Sequence, residues 1–133
     1  MTTDKVHLSD LHFDHRLWLN ELRFFEDQLA IFDERLAQVI DRYKDDSEAI
    51  RSLEAFQNQI IRQREVIDEM KHKIRSREKD LNKIERQKEE DPVSANHILF
   101  EYHTSEKEEM ETFIKLFNEM RENYLGLLSE MLK

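Results

Sequence analysis

The sequence predicts an all-α protein in which three long antiparallel helices pack up-down-up as a coiled-coil-like bundle. Three observations lead there. The 133 residues hold one Gly and one Pro, too little punctuation for the hairpins and tight turns of a β protein. Charged residues make up 38% of the chain and apolar residues another 38%, a balance suited to long helices with one wet and one dry face. Apolar residues also recur in alternating steps of three and four along each third of the chain, the period of left-handed supercoiled packing. A chain of this length reads as one domain, residues 1-133, with apolar material for one continuous core.

The first helix is expected over residues 9–44, with a seam of Leu11, His15, Trp18, Leu22, Phe25, Leu29, Phe32, Leu36, Val39 and Tyr43. Asp45-Asp46-Ser47 breaks that run. Asp45 and Glu48 have the spacing of a capping box, in which each side chain satisfies an orphan amide at a helix start. The second helix is expected over residues 47–90, with a seam of Leu53, Phe56, Ile60, Gln63, Ile67, Met70, Ile74, Arg77, Leu81 and Ile84. Asp91-Pro92 is the next break, because Asp caps well and Pro at the first helical position gives up an amide that has no partner there. The third helix follows over residues 92–132, with Leu99, His103, Glu106, Met110, Phe113, Phe117, Met120, Tyr124, Leu127 and Met131 on its seam.

Folding helix 2 back about Asp46 sets Leu22 opposite Met70, Phe25 opposite Ile67, Phe32 opposite Ile60 and Leu36 opposite Phe56, so that core meets core. A second turn centred near Val93 sets Ile74 opposite Phe113 and Met70 opposite Phe117, with a half-heptad slip left open. Helices 1 and 3 then run parallel.

Four kinds of polar seam residue draw functional readings. Gln63 is expected beside Leu29 and Tyr124, its amide and the phenol satisfying each other; a buried polar residue at such a position commonly fixes register or oligomeric state. His15, Arg77, His103 and Glu106 fall near one end of the bundle. His12-x-x-His15 and His103-x-x-Glu106 each put two donors on one helix face, so a metal site of His12, His15, His103 and Glu106 is the alternative. Against it, Arg77 sets a fixed cation in the same place, and carboxylate-bridged di-iron bundles use four helices and other ligand sets. The simpler expectation is an Arg77–Glu106 ion pair flanked by histidines, near an open end that water reaches. Imidazoles near a cation would respond to pH between about 5 and 7 and shift the melting temperature there. His72 and His97 are expected at the surface, and no Ser or Cys nucleophile constellation is present.

Cysteine is absent, which removes disulfides, thiolate metal sites and thiol nucleophiles. The first ten residues lack the basic start and apolar run of a secretory signal, and no stretch approaches ~18 consecutive apolar residues, so a cytoplasmic setting is expected. A net charge of -9 opposes nucleic acid and anionic membranes as partners. The local exception is the run Lys71 to Lys88, with eight Lys or Arg against three acidic residues. Glu101, Glu106, Glu108, Glu109 and Glu111 on helix 3 are expected to answer it within the fold.

Leu17, Phe24 and Ile31 recur every seven residues on helix 1, set off from the seam by Asp14, Glu21, Gln28 and Arg35. Ile114, Leu125 and Leu128 are expected to add apolar surface on helix 3. Such a stripe marks a partner surface unless helix 1 rolls far enough to bury both of its faces.

The combination Trp18-x-x-Glu21-Leu22-x-Phe24, Phe56-Gln57-Asn58, Ile67-Asp68 and Met120-Arg121-Glu122 resembles an uncharacterised family of short all-helical proteins from Bacteroidetes-type bacteria, over most of the chain. The resemblance implies a bacterial cytosolic setting and brings no activity, substrate or cofactor. No segment carries a catalytic, cofactor or nucleotide motif. The expected role is a non-enzymatic interaction or structural module, self-associating or bound to a protein partner and needing no cofactor.

Overall fold

The computed structural model describes the backbone of residues 8–86 and 92–131, and the side chains of 8–86 and 101–131. Three helices account for nearly all of it: α1 (Leu8–Arg42), α2 (Ser47–Arg86) and α3 (Pro92–Met131). The expected elements are therefore present, and α3 starts at the proline. The anticipated cap at Asp91 and the end of helix 2 beyond Arg86 lie outside the described residues.

The first turn is built differently from the expected capping box. Asp46, not Asp45, caps α2: its Oδ1 accepts the Ala49 amide at 3.1 Å, three residues ahead, and its carbonyl accepts the Ile50 amide at 2.9 Å. Asp45 sits one place too early to reach an amide of the first turn. On the other side, the Tyr43 amide reaches back to the Val39 and Ile40 carbonyls, closing α1 with a tightened last turn.

Side-chain pairs fix the order of the helices. Glu26 meets Lys71 at 2.7 Å, Asp33 meets Arg64 at 3.4 Å and His15 meets Glu78 at 2.5 Å. One series rises as the other falls, so α1 and α2 are antiparallel. Phe25 lies 4.4 Å from Phe117 and Phe32 lies 4.7 Å from Tyr124, centroid to centroid, and the two series rise together, so α1 and α3 are parallel. Between α2 and α3, Phe56 meets Tyr124 at 5.8 Å and Arg77 meets Glu106 at 3.1 Å. The first of these pairs lies seven residues, and the second four, off the register that sets Ile74 opposite Phe113. The slip of α3 is therefore between half a heptad and a whole one, and Met70 shares a groove with Phe113. The slip lets aromatic meet aromatic at one level and cation meet carboxylate at another.

Every expected seam position with a described side chain is buried or half-buried, and Leu99 lies outside the described side chains. The main core runs through all three helices, with Leu22, Leu29, Leu36, Leu53, Ile67 and Phe117 fully inaccessible. Each such side chain contributes about 1.5–3 kcal/mol over its exposed state. Leu11 and Leu81 form a second, smaller cluster with Leu8 and Ile84. The polar layer lies between these two cores.

Candidate functional site

His15 on α1 is the centre of that layer and is only 2% exposed. Its Nδ1 lies 2.5 Å from a Glu78 oxygen on α2, and its Nε2 lies 2.6 Å from a Glu106 oxygen on α3. A neutral imidazole has one N–H and one lone pair, so it can donate to only one of two carboxylates. The ring that satisfies both is the imidazolium, donating from each nitrogen. Burial by itself pulls the His15 pKa down; the hydrogen bonds and charges of Glu106 and Glu78 outweigh it, and the result lies above the ordinary 6.5.

The surrounding charges balance this cation. Arg77 Nη1 stands 3.1 Å from the other Glu106 oxygen, near enough for attraction but not aligned as a hydrogen bond. Its guanidinium also sits 5.5 Å from the centre of the Tyr102 ring. His12, one turn before His15, presents Nδ1 to Glu78 at 2.8 Å and stands 3.8 Å from Glu85. A histidine pair three apart on α1 thus grips one carboxylate of α2, while the deeper histidine also holds α3.

The expected Arg77–Glu106 pair is present, but two features of its setting differ from expectation. The layer does not lie at an open end: the Leu11–Leu81 cluster closes over it, and Glu106 is 4% exposed. His15 also faces two carboxylates, whose hydrogen bonds and charges raise its pKa from the ordinary 6.5. Glu78, the partner that sequence reasoning missed, lies off the α2 seam. The fold-back about Asp46 nonetheless places residue 78 level with residues 14 and 15, and that was the available signal.

His103 occupies a separate position in the same layer. Its Nε2 lies 3.2 Å from Asp14, its ring stacks on Trp18 at 5.6 Å, and Trp18 also contacts the His15 ring at 5.7 Å. Trp18 thus stands between the two histidines. His12, His15, His103 and Glu106 are consequently divided: His12 bonds Glu78, His15 offers N–H groups to Glu78 and Glu106, and His103 turns to Asp14. Among the described residues no group of three or more His, Asp or Glu is arranged to hold a metal ion. His72 is exposed, as expected, and the His97 side chain lies outside the described residues.

Gln63 and Tyr124 do not meet each other's hydrogen-bonding needs as expected. The Tyr124 hydroxyl donates to the Phe32 carbonyl at 2.5 Å, and Gln63 Oε1 is buried without a hydrogen-bond partner. The slip of α3 sets Tyr124 against Phe56, seven residues before Gln63. Burial pushes the Tyr124 phenol up to about 12, keeping it a neutral donor.

The basic run of α2 is partly answered inside the fold. Lys73 faces Glu109 at 3.8 Å and Arg77 faces Glu106, whereas Lys71 turns to Glu26 of α1.

The outer stripe of α1 stays outside. Leu17 is 43% exposed, Phe24 49% and Ile31 63%, and Phe13, one turn before Leu17, extends the ridge at 59%. Helix 1 therefore does not roll to bury both faces. On α3, Leu125 is exposed as expected, but Ile114 packs partly against the core and Leu128 is buried within it. No helix among the described residues is long and apolar enough to cross a membrane. No protein-family model matches the chain, and no curated protein or solved structure does.

Proposed function

We propose that the chain is a non-enzymatic helical interaction or structural module, working through its helix surfaces and associating with itself. The observation that carries this reading is the outer ridge of α1, where Phe13, Leu17, Phe24 and Ile31 stand exposed on one face. Single exposed apolar residues are ordinary, but a row of large ones along one helix face beside a complete core is the anatomy of a contact surface. The net charge of -9 supports a protein partner over nucleic acid or an anionic membrane. The resemblance to Bacteroidetes-type helical proteins is the support for a bacterial cytoplasmic setting, and the proposed role requires no cofactor.

Light scattering over a concentration series tests the reading. The unmodified protein is expected to show twice the chain mass, and Phe24→Glu is expected to return it to a single chain without loss of helical circular dichroism. A single-chain mass for both at the highest concentration reached would remove self-association.

A further inference from the structure

We infer that the α1 ridge is covered by the same ridge of a second copy, running antiparallel about a two-fold axis at Phe24. The inference rests on the self-association proposed above and gives it a geometry. A two-fold contact is self-complementary: if one residue meets another across it, the reverse contact also occurs. Leu17 and Ile31 each lie seven residues from Phe24, on opposite sides. Reversal about Phe24 lays Leu17 on the second copy's Ile31 and Phe24 on its own counterpart, so the apolar row matches itself.

The charges beside the row match under the same reversal. Arg16 and Arg23 each precede a ridge residue by one place, and Asp27 and Glu34 each follow one by three. At 100° per residue both offsets turn to the same side of the helix. All four side chains are exposed, and none has an ion-pair partner among the described residues. Reversal brings Arg16 to Glu34 and Arg23 to Asp27, twice over by symmetry. A parallel pair would instead turn the unpaired side toward the second copy's Asp14 side, where Asp14 already pairs with His103 and α3 stands alongside. The antiparallel order is the one that joins charges left over by the fold to each other.

Reciprocal charge reversal tests the geometry. One variant carries Arg16→Glu with Arg23→Glu, and the other carries Asp27→Arg with Glu34→Arg. Each alone is expected to set like charges together across the axis and raise the dimer Kd by at least about tenfold. An equimolar mixture is expected to restore a dimer, because each variant then meets the opposite sign on the other. Helical circular dichroism should be unchanged, since all four positions lie on the surface. Sedimentation of each variant and of the mixture gives the readout. If the unmodified protein dimerises but both variants dimerise as well as it does, or their mixture stays dissociated, the antiparallel geometry falls and self-association stands. If the unmodified protein is a single chain throughout, both fall together.

Discussion

The two faces of α1 use the same seven-residue spacing for opposite ends. On the inner face Leu22, Leu29 and Leu36 are fully inaccessible within the main core. On the outer face Leu17, Phe24 and Ile31 repeat that interval and remain roughly half exposed. Hydrophobicity and period alone do not distinguish these rows. The distinction comes from their neighbours: the inner row is continuous with Phe25, Phe32 and Val39, giving a face broad enough to bury against two helices, whereas the outer row is one residue wide and hemmed by Arg16, Arg23, Asp27 and Glu34. A broad row builds the fold, and a narrow one between charges is suited to a contact that leaves the fold intact.

The inner face itself contains a contrast, because His15 occupies a slot that leucine fills elsewhere. A leucine is held by shape and exclusion of water, but His15 is held by its proton. His15→Ala is expected to have the largest effect, leaving Glu106 and Glu78 without their shared cation and opening a void; the cost is about 3–5 kcal/mol in denaturant unfolding. Leu29→Ala, its apolar counterpart, should cost about 2–5 kcal/mol. Pairing His15→Leu with Glu106→Leu should cost less than the two single changes together, since the stranded charge is removed along with its partner. Additive losses would show that the layer is not a coupled unit.

The pH dependence of stability separates the two kinds of slot. The folded-state pKa of His15 is raised above 6.5. Its stabilisation is therefore complete below about pH 6.5 and lost as the pH rises through the higher folded value. The melting temperature of the unmodified protein should fall more steeply on raising the pH from about 6.5 than that of His15→Gln, whose amide does not titrate. Parallel curves for the two would contradict the imidazolium assignment. A smaller effect is expected at the opposite end of the core: Tyr124→Phe removes the donor to the Phe32 carbonyl while keeping the stacked ring, at a cost of about 0.5–1.5 kcal/mol.

Much of this architecture was legible in the sequence because it depends on period and punctuation. The seam residues, both breaks and the antiparallel order of α1 and α2 follow from spacing, and so does the meeting of Arg77 with Glu106. What was not legible depends on the shape of particular side chains. The slip of α3 sets the Tyr124 ring against Phe32 and Phe56, contacts that a count of positions does not give, and Leu128 is buried although spacing put it on the surface. Glu78 and Asp14 were missed because they flank the seam and reach in from the side, so a search confined to seam positions passes over them. The cap at Asp46 differs from the expected Asp45 by one residue, a distinction that hydrogen-bond geometry makes and composition does not.

The central claim is that the outer face of α1 joins two copies while the inner face builds each one. Melting temperature as a function of protein concentration tests it most directly, since a folded dimer is stabilised by mass action and an independent monomer is not. Across about a hundredfold range of concentration the melting temperature of the unmodified protein should rise, and that of Phe24→Glu should stay constant at the value the unmodified protein approaches on dilution. A melting temperature independent of concentration in both, or a rise that survives Phe24→Glu unchanged, would contradict it.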